Sequence, residues 1–245
     1  FNSRGQAKFY LEHSGGDFSD YEREDDTYRR AVDTVRRSLE VGIKLQLVDR
    51  SFLPTFLFTE KDLIVTAGQD GLVANTAKYV GAQPIVGVNP DPDRFDGILL
   101  PFRPNQVRPA VGRVLDGSAQ LRPVTLAQTA LADGQRLLAF NDFFLGARSH
   151  VSARYRISVN GRSESHSSSG VIVSTGAGST GWLSSIFNMA AGIAAFGQGQ
   201  PVAPVRMAWE DPRLVFVVRE PFLSKHSQAG IVAGLLEAGQ ELVLE

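Results

Sequence analysis

Three stretches of the chain carry residue types and spacings that could do chemistry. Gly68-Gln69-Asp70-Gly71 follows an apolar run, Leu63-Ile64-Val65. A carboxylate there could accept a proton from a hydroxyl nucleophile. Backbone N–H groups in a glycine-flanked turn could cradle phosphate. Asn141-Asp142 follows Leu137-Leu138-Ala139-Phe140 and offers an amide and a carboxylate to a polar ligand, although such a pair also makes ordinary turns. Thr175-Gly176-Ala177-Gly178-Ser179-Thr180-Gly181 is a glycine and hydroxyl loop, suited to a phosphate or a ribose or to close backbone packing.

The last stretch contains G-x-G-x-x-G, but it is not a dinucleotide fingerprint of the usual kind. That fingerprint needs an acidic residue about 20 positions on, after a second strand. No acidic residue lies between Gly181 and Met207. Walker A and G-x-S-x-G motifs are absent from the sequence. Arg94, Arg103, Arg148, Arg154 and Arg156 are candidate phosphate contacts. The histidines, His13, His150, His166 and His226, have no metal-ligand spacing and read as surface or loop residues. No set of protein side chains is expected to hold a metal.

The absence of cysteine excludes a disulfide scaffold, a thiolate metal site and a thiol nucleophile, and it suits a reducing cytoplasm. A formal net charge of -1 gives no reason to expect nucleic acid or a membrane surface as partner. No apolar run approaches the roughly 20 residues of a bilayer span.

These stretches need elements to position them. Residues 1–20 read as loop. Tyr28, Ala31, Val32, Val35 and Leu39 fall on one helical face, with Asp25 and Asp26 near its start and Gly42 as a stop. Ile43, Leu45 and Leu47 alternate as a strand would. Strands are expected at 62–66 and 84–88, with a tight turn at 68–71 and a helix over 72–80 between them. This alternation implies a parallel sheet covered by helices. A helix is expected over 105–115, and beyond it the chain reads as mostly β. Asn160-Gly161 is a type I′ hairpin signal. The fold class is therefore an α/β N-terminal domain, residues 1–101, and a β-rich C-terminal domain, residues 102–245.

The order of the motifs is more specific than any one of them. Gly68-x-Asp70-Gly71, then Asn141-Asp142, then Ser169-Gly170 leading to Thr175-x-x-Gly178-Ser179-Thr180, resembles the NAD kinase family. Residues 84–94, 141–158 and 168–182 and Arg219-Glu220-Pro221 are similar to its divergent branch containing the animal mitochondrial enzyme. The resemblance implies a Rossmann-like first domain and an active site between the two domains. It also implies a further strand before Phe1 and a β segment after Glu245. By the same resemblance Asp70 is the catalytic base, and Gly68, Gln69 and Gly71 bind the phosphates of ATP. Asn141, Asp142, Ser169, Thr175, Gly178, Ser179 and Thr180 bind NAD. ATP with Mg2+ and NAD are the implied ligands, and a cytoplasmic homodimer the implied assembly.

The chain departs from the family pattern at Gln69 and Leu72, where a glycine and a threonine are usual. Ser169 stands where most members have an aspartate, and Asp142 where they have glutamate. A glutamine side chain at position 69 is expected to crowd an incoming phosphate. Two rival readings share the motif order: a catalytically degenerate NAD(P)-binding protein, and a lipid or sugar kinase of the same superfamily.

Overall fold

The computed structural model describes the whole chain except residues 2, 41, 43 and 201. It forms two compact units, Phe1–Leu121 and Arg122–Glu245.

In the first unit, α1 (Arg4–His13) occupies the segment read as loop, and α2 (Ser19–Leu39) is the expected helix, which starts earlier than its acidic pair suggested. Helix α1 buries no residue. Its Ser3 cap accepts the Gln6 N–H, and Arg4 and Lys8 pair with Glu22 on α2. Helix α2 buries Ala31, Val35 and Leu39, and Gly42 follows at φ +82. Tyr28, at the other end of the expected stripe, is 44% exposed.

Strands β1 (Ile64–Ala67) and β2 (Ile85–Val88) pair in parallel, Ile64 opposite Ile85 and Ala67 opposite Val88. A parallel bridge joins Val88 to Phe102. Between the strands lies α3 (Asp70–Thr76), so the expected tight turn is already helix from Asp70 onward, and the helix ends before Val80. Helix α4 (Val107–Leu115) follows a short 3-10 turn at Pro104–Gln106. Val107, Ala110 and Val111 of α4 pack with Val35, Leu39, Val86 and Val88 to form this unit's core. Gly87 lets the 99–100 main chain pass close: a Cβ there would lie 2.1 Å from the Leu99 carbonyl oxygen. Of the strand expected at 43–47, Ile43 lies outside the described residues, and residues 44–49 have no regular structure.

The second unit opens with an antiparallel pair, β3 (Ala127–Ala130) and β4 (Arg136–Ala139). A four-stranded sheet has the order β10 (Ala233–Leu236), β9 (Leu214–Arg219), β8 (Gly170–Ser174), β5 (Asp142–Leu145). A second sheet has the order β11 (Val243–Leu244), β6 (Ala153–Val159), β7 (Arg162–Ser168). Asn160 and Gly161, at φ 51 and 74, make the type I′ turn of the β6–β7 hairpin. Ile157 and Val159 of one sheet pack on Val171, Val173, Phe216 and Val218 of the other. The alternate residues Val215 and Val217 turn to the opposite face and pack on Leu183 of α5 (Trp182–Phe196), as a period of two requires. No helix among the described residues is long and apolar enough to cross a membrane.

Candidate functional site

In the first unit, Gly68 and Gln69 leave the end of β1, and Asp70 is the first residue of α3. Asp70 is half-buried, and its Oδ1 accepts the main-chain N–H of Leu99 at 2.5 Å. A carboxylate oxygen held by a backbone N–H has a fixed direction, which an exposed and freely rotating one lacks. The segment that presents Leu99 is itself fastened. Asn89 is 4% exposed, its Nδ2 donates to the Phe95 carbonyl at 2.8 Å, and its Oδ1 accepts the Asp91 N–H at 3.0 Å. Gly97, at φ +64, turns the chain against Asn89 and toward Leu99.

Gln69 is exposed and extended, φ -83 and ψ 164, a conformation open to any residue. Position 69 therefore has no conformational need for glycine, and only side-chain bulk distinguishes it from the family pattern. Leu72 packs over Gly68, where a Cβ would lie 2.9 Å from Leu72 Cδ2. Gly71 meets nothing within 4 Å. Gly68 and Gln69 also line a cavity of about 500 Å3, shared with Tyr28, Glu24, Asp91 and Phe95. Arg94 is occupied by Glu24 at 3.0 Å.

In the second unit, the fold brings Asn141 and the Thr175 loop together. The Asn141 carbonyl accepts the Thr175 N–H at 2.9 Å. Thr175 is fully buried; its hydroxyl donates to the Phe140 carbonyl at 2.6 Å and accepts the Gly178 N–H at 3.1 Å. Ser179, also fully buried, donates to the Gly176 carbonyl at 2.7 Å and accepts the Met207 N–H at 3.3 Å. Both hydroxyls are thus committed to shaping the loop. Its glycines are needed for close approach. A Cβ on Gly176 would lie 1.8 Å from the Ala208 carbonyl oxygen, and one on Gly178 would lie 2.3 Å from that of Asn141. The groups this leaves at the surface are the Asn141 and Thr180 side chains.

Asp142 pairs with Ser174 across β5 and β8. Its Oδ1 is buried without a hydrogen-bond partner among the described residues. Burial pushes its carboxyl above the usual carboxylate range, opposed in part by the Ser174 hydroxyl. Ser169 stands at the other end of β8 from Thr175, roughly 20 Å away along extended chain. There it lines a separate polar cavity of about 370 Å3 with His150 and Arg219. The Arg219 guanidinium lies 5.4 Å from the Trp182 ring centroid and 3.4 Å from Glu220.

Several residues of these sites carried no sequence signal. Leu99 acts through its main chain, and Asn89 lay within the 84–94 segment without a role of its own. Tyr28 looked like part of a core stripe. His166 is a correction to the surface reading: it is 3% exposed on β7, with Nε2 3.1 Å from Glu164 Oε2. Among the described residues, no group of three or more His, Cys, Asp or Glu is placed to hold a metal ion.

No family model matches the chain. It is 27% identical over 262 residues to the rat protein named NAD kinase 2, mitochondrial, covering 79% of this chain and 61% of that protein. It is 29% identical over 126 residues to the NAD kinase of Chlorobium phaeobacteroides, covering 49% of this chain and 43% of that protein. The chain therefore spans less than two thirds of each curated relative. A crystal structure of yeast NADH kinase complexed with NADH matches with a TM-score of 0.47 at 20% identity, covering 72% of this chain and 45% of that one.

Proposed function

We propose that this chain of the NAD kinase family, with the animal mitochondrial branch among its relatives, carries out ATP-dependent phosphorylation of NAD. The 2′-hydroxyl oxygen of the adenosine ribose of NAD attacks the γ-phosphorus of ATP. A new P–O bond forms as the bond to the β,γ-bridging oxygen breaks, ADP leaves, and the ribose proton passes to Asp70. The observation that carries this reading is the fastened carboxylate. Leu99 N–H holds Oδ1, which orients Oδ2 to take the proton. General-base help of this kind is typically worth about 10²–10⁴-fold. The rest of the acceleration is positioning and charge neutralisation. Mg2+ would arrive on the ATP phosphates and neutralise them there.

In this reading, the first unit forms a Rossmann-like domain whose Gly68, Gln69 and Gly71 main chain meets the ATP phosphates. The second unit, Arg122–Glu245, holds NAD. Asn141 and Thr180 contact it directly, Thr175, Gly178 and Ser179 shape the loop beneath it, and Asp142 adds a carboxyl beside it; Ser169, in its separate cavity at the other end of β8, is not part of this loop site. The homodimer rests on the resemblance alone, and the cytoplasmic location on the absence of cysteine as well. Formation of NADP from NAD and Mg2+·ATP, lost on Asp70→Asn, is the test.

Gln69 and Leu72 favour one rival, a protein that binds NAD without phosphorylating it. On the kinase reading, replacing Gln69 with glycine and Leu72 with threonine together raises the rate, because side-chain bulk leaves the loop and a hydroxyl enters it. A natural protein and a double variant that bind NAD but are equally inactive would establish the rival instead.

A further inference from the structure

We propose that Arg219, set against the Trp182 and Phe144 rings, makes this protein select the reduced dinucleotide, NADH, over NAD. This rests on the NAD-binding half of the reading above and adds to it which redox form the second unit prefers. The two forms differ in a feature that a stacking site can sense. The nicotinamide ring of NAD carries a positive charge, and that of NADH is neutral, while the ring size and the carboxamide are the same.

The placement follows from strand register. On β8, Ser174, Ile172 and Gly170 share one face. Their partners continue it, with Asp142 opposite Ser174, Phe144 opposite Ile172 and Arg219 opposite Gly170. Going away from the Thr175 loop, the face therefore carries Asp142, then Phe144, then Arg219, over roughly 13 Å. Trp182 closely follows Thr180 in the chain, and its ring centroid lies 5.4 Å from that of Phe144. With the reacting adenosine half at Asn141 and Thr180, the rest of an extended dinucleotide meets these two rings next. Phe144 is 44% exposed and Trp182 41%, so both offer surface to a ligand.

Charge decides what those rings accept. An uncovered aromatic pair attracts a cation. Here the Arg219 guanidinium already lies 5.4 Å from the Trp182 centroid and 5.9 Å from the Phe144 centroid. A second cation meets like charge there. A neutral dihydronicotinamide stacks without that repulsion. Glu220 lies 3.4 Å from Arg219, but it is 54% exposed and Arg219 29%, so solvent screens the carboxylate more than the guanidinium. Asp142, the acid on this face, lies at its other end, opposite Ser174. The Phe144 ring is packed against Gly146 and Gly170, where a Cβ would lie 2.6 and 2.7 Å from it.

The test is calorimetric binding of NAD and of NADH to the natural protein, to Arg219→Gln and to Arg219→Lys. The natural protein should bind NADH at least about threefold more tightly than NAD. Arg219→Gln removes the charge and should bring the two Kd values together or favour NAD. Arg219→Lys keeps the charge and should keep the preference. Thermal melting checks that each variant is folded. NAD bound as tightly as NADH by the natural protein would overturn the proposal. So would a preference lost in Arg219→Lys. A merely structural role for Arg219 would raise both Kd values together in Arg219→Gln and leave their ratio unchanged, which would overturn it too. Turnover with Mg2+·ATP separates this from the kinase reading. A charge-dependent preference in a protein that makes neither NADP nor NADPH sinks the kinase reading alone. Phosphorylation of both dinucleotides with equal Kd values sinks the preference alone. Failure of the natural protein to bind either dinucleotide sinks both.

Discussion

The main-chain N–H of Leu99 donates to Oδ1 of Asp70 at 2.5 Å, joining residues 29 positions apart. Asp70 begins the helix after β1, and Leu99 lies on the segment that leaves β2. The two strands are parallel neighbours, so the segments that leave their carboxyl ends run side by side. That is where a carboxylate can be held against a backbone donor and still face a ligand.

Asn89 is the buried fastener behind this contact. Asn89→Ala removes two hydrogen bonds and leaves the Phe95 carbonyl and the Asp91 N–H to find new partners. The expected cost is about 1–3 kcal/mol of unfolding free energy, measured by denaturant titration. A change too small to measure would show that the segment is held by other means.

The glycines of the two motif loops should respond in opposite directions. Gly71 lies inside α3 with open space around its Cα, so Gly71→Ala should stabilise the fold by about 0.5–1 kcal/mol. Gly176 is pressed against Ala208, so Gly176→Ala should cost about 1–3 kcal/mol or more. Thermal unfolding of both variants checks this, and a stable Gly176→Ala would contradict the packing described.

Asp142 makes stability depend on pH. Its folded pKa is raised by burial, so the folded state binds a proton more readily than the unfolded state does. The favourable contribution is complete below the unfolded value and is lost as pH rises through the folded one. At neutral pH the buried charge is therefore a burden. Asp142→Asn should melt higher than the natural protein near pH 7, and the gap should close as the medium is acidified below the ordinary carboxylate range. A gap that widens on acidification would reverse the assignment.

How much of this could be read from sequence depended on where each residue's partners lie. The apolar face of α2 announced itself because Ala31, Val35 and Leu39 repeat at helical spacing and are buried. Helix α1 did not, because it buries nothing and is held by Arg4 and Lys8 against Glu22. Asp70 stood out as an acid between glycines after an apolar run. Its partner, a backbone N–H on an ordinary leucine, leaves no trace in residue type. Thr175 and Ser179 were visible as hydroxyls, but that both point into their own loop is a property of packing. Tyr28 fits a core stripe by spacing and lines a cavity in the fold.

The central claim is that Asp70 takes the ribose proton. The direct measurement is the rate of NADP formation from NAD and Mg2+·ATP by the natural protein and by Asp70→Asn, with NAD affinity measured on both. The amide keeps the size of the side chain and an oxygen for Leu99 N–H, but it cannot accept the proton. The account predicts turnover lower by about 10²-fold or more, with little change in NAD binding. Turnover by Asp70→Asn close to that of the natural protein would contradict it.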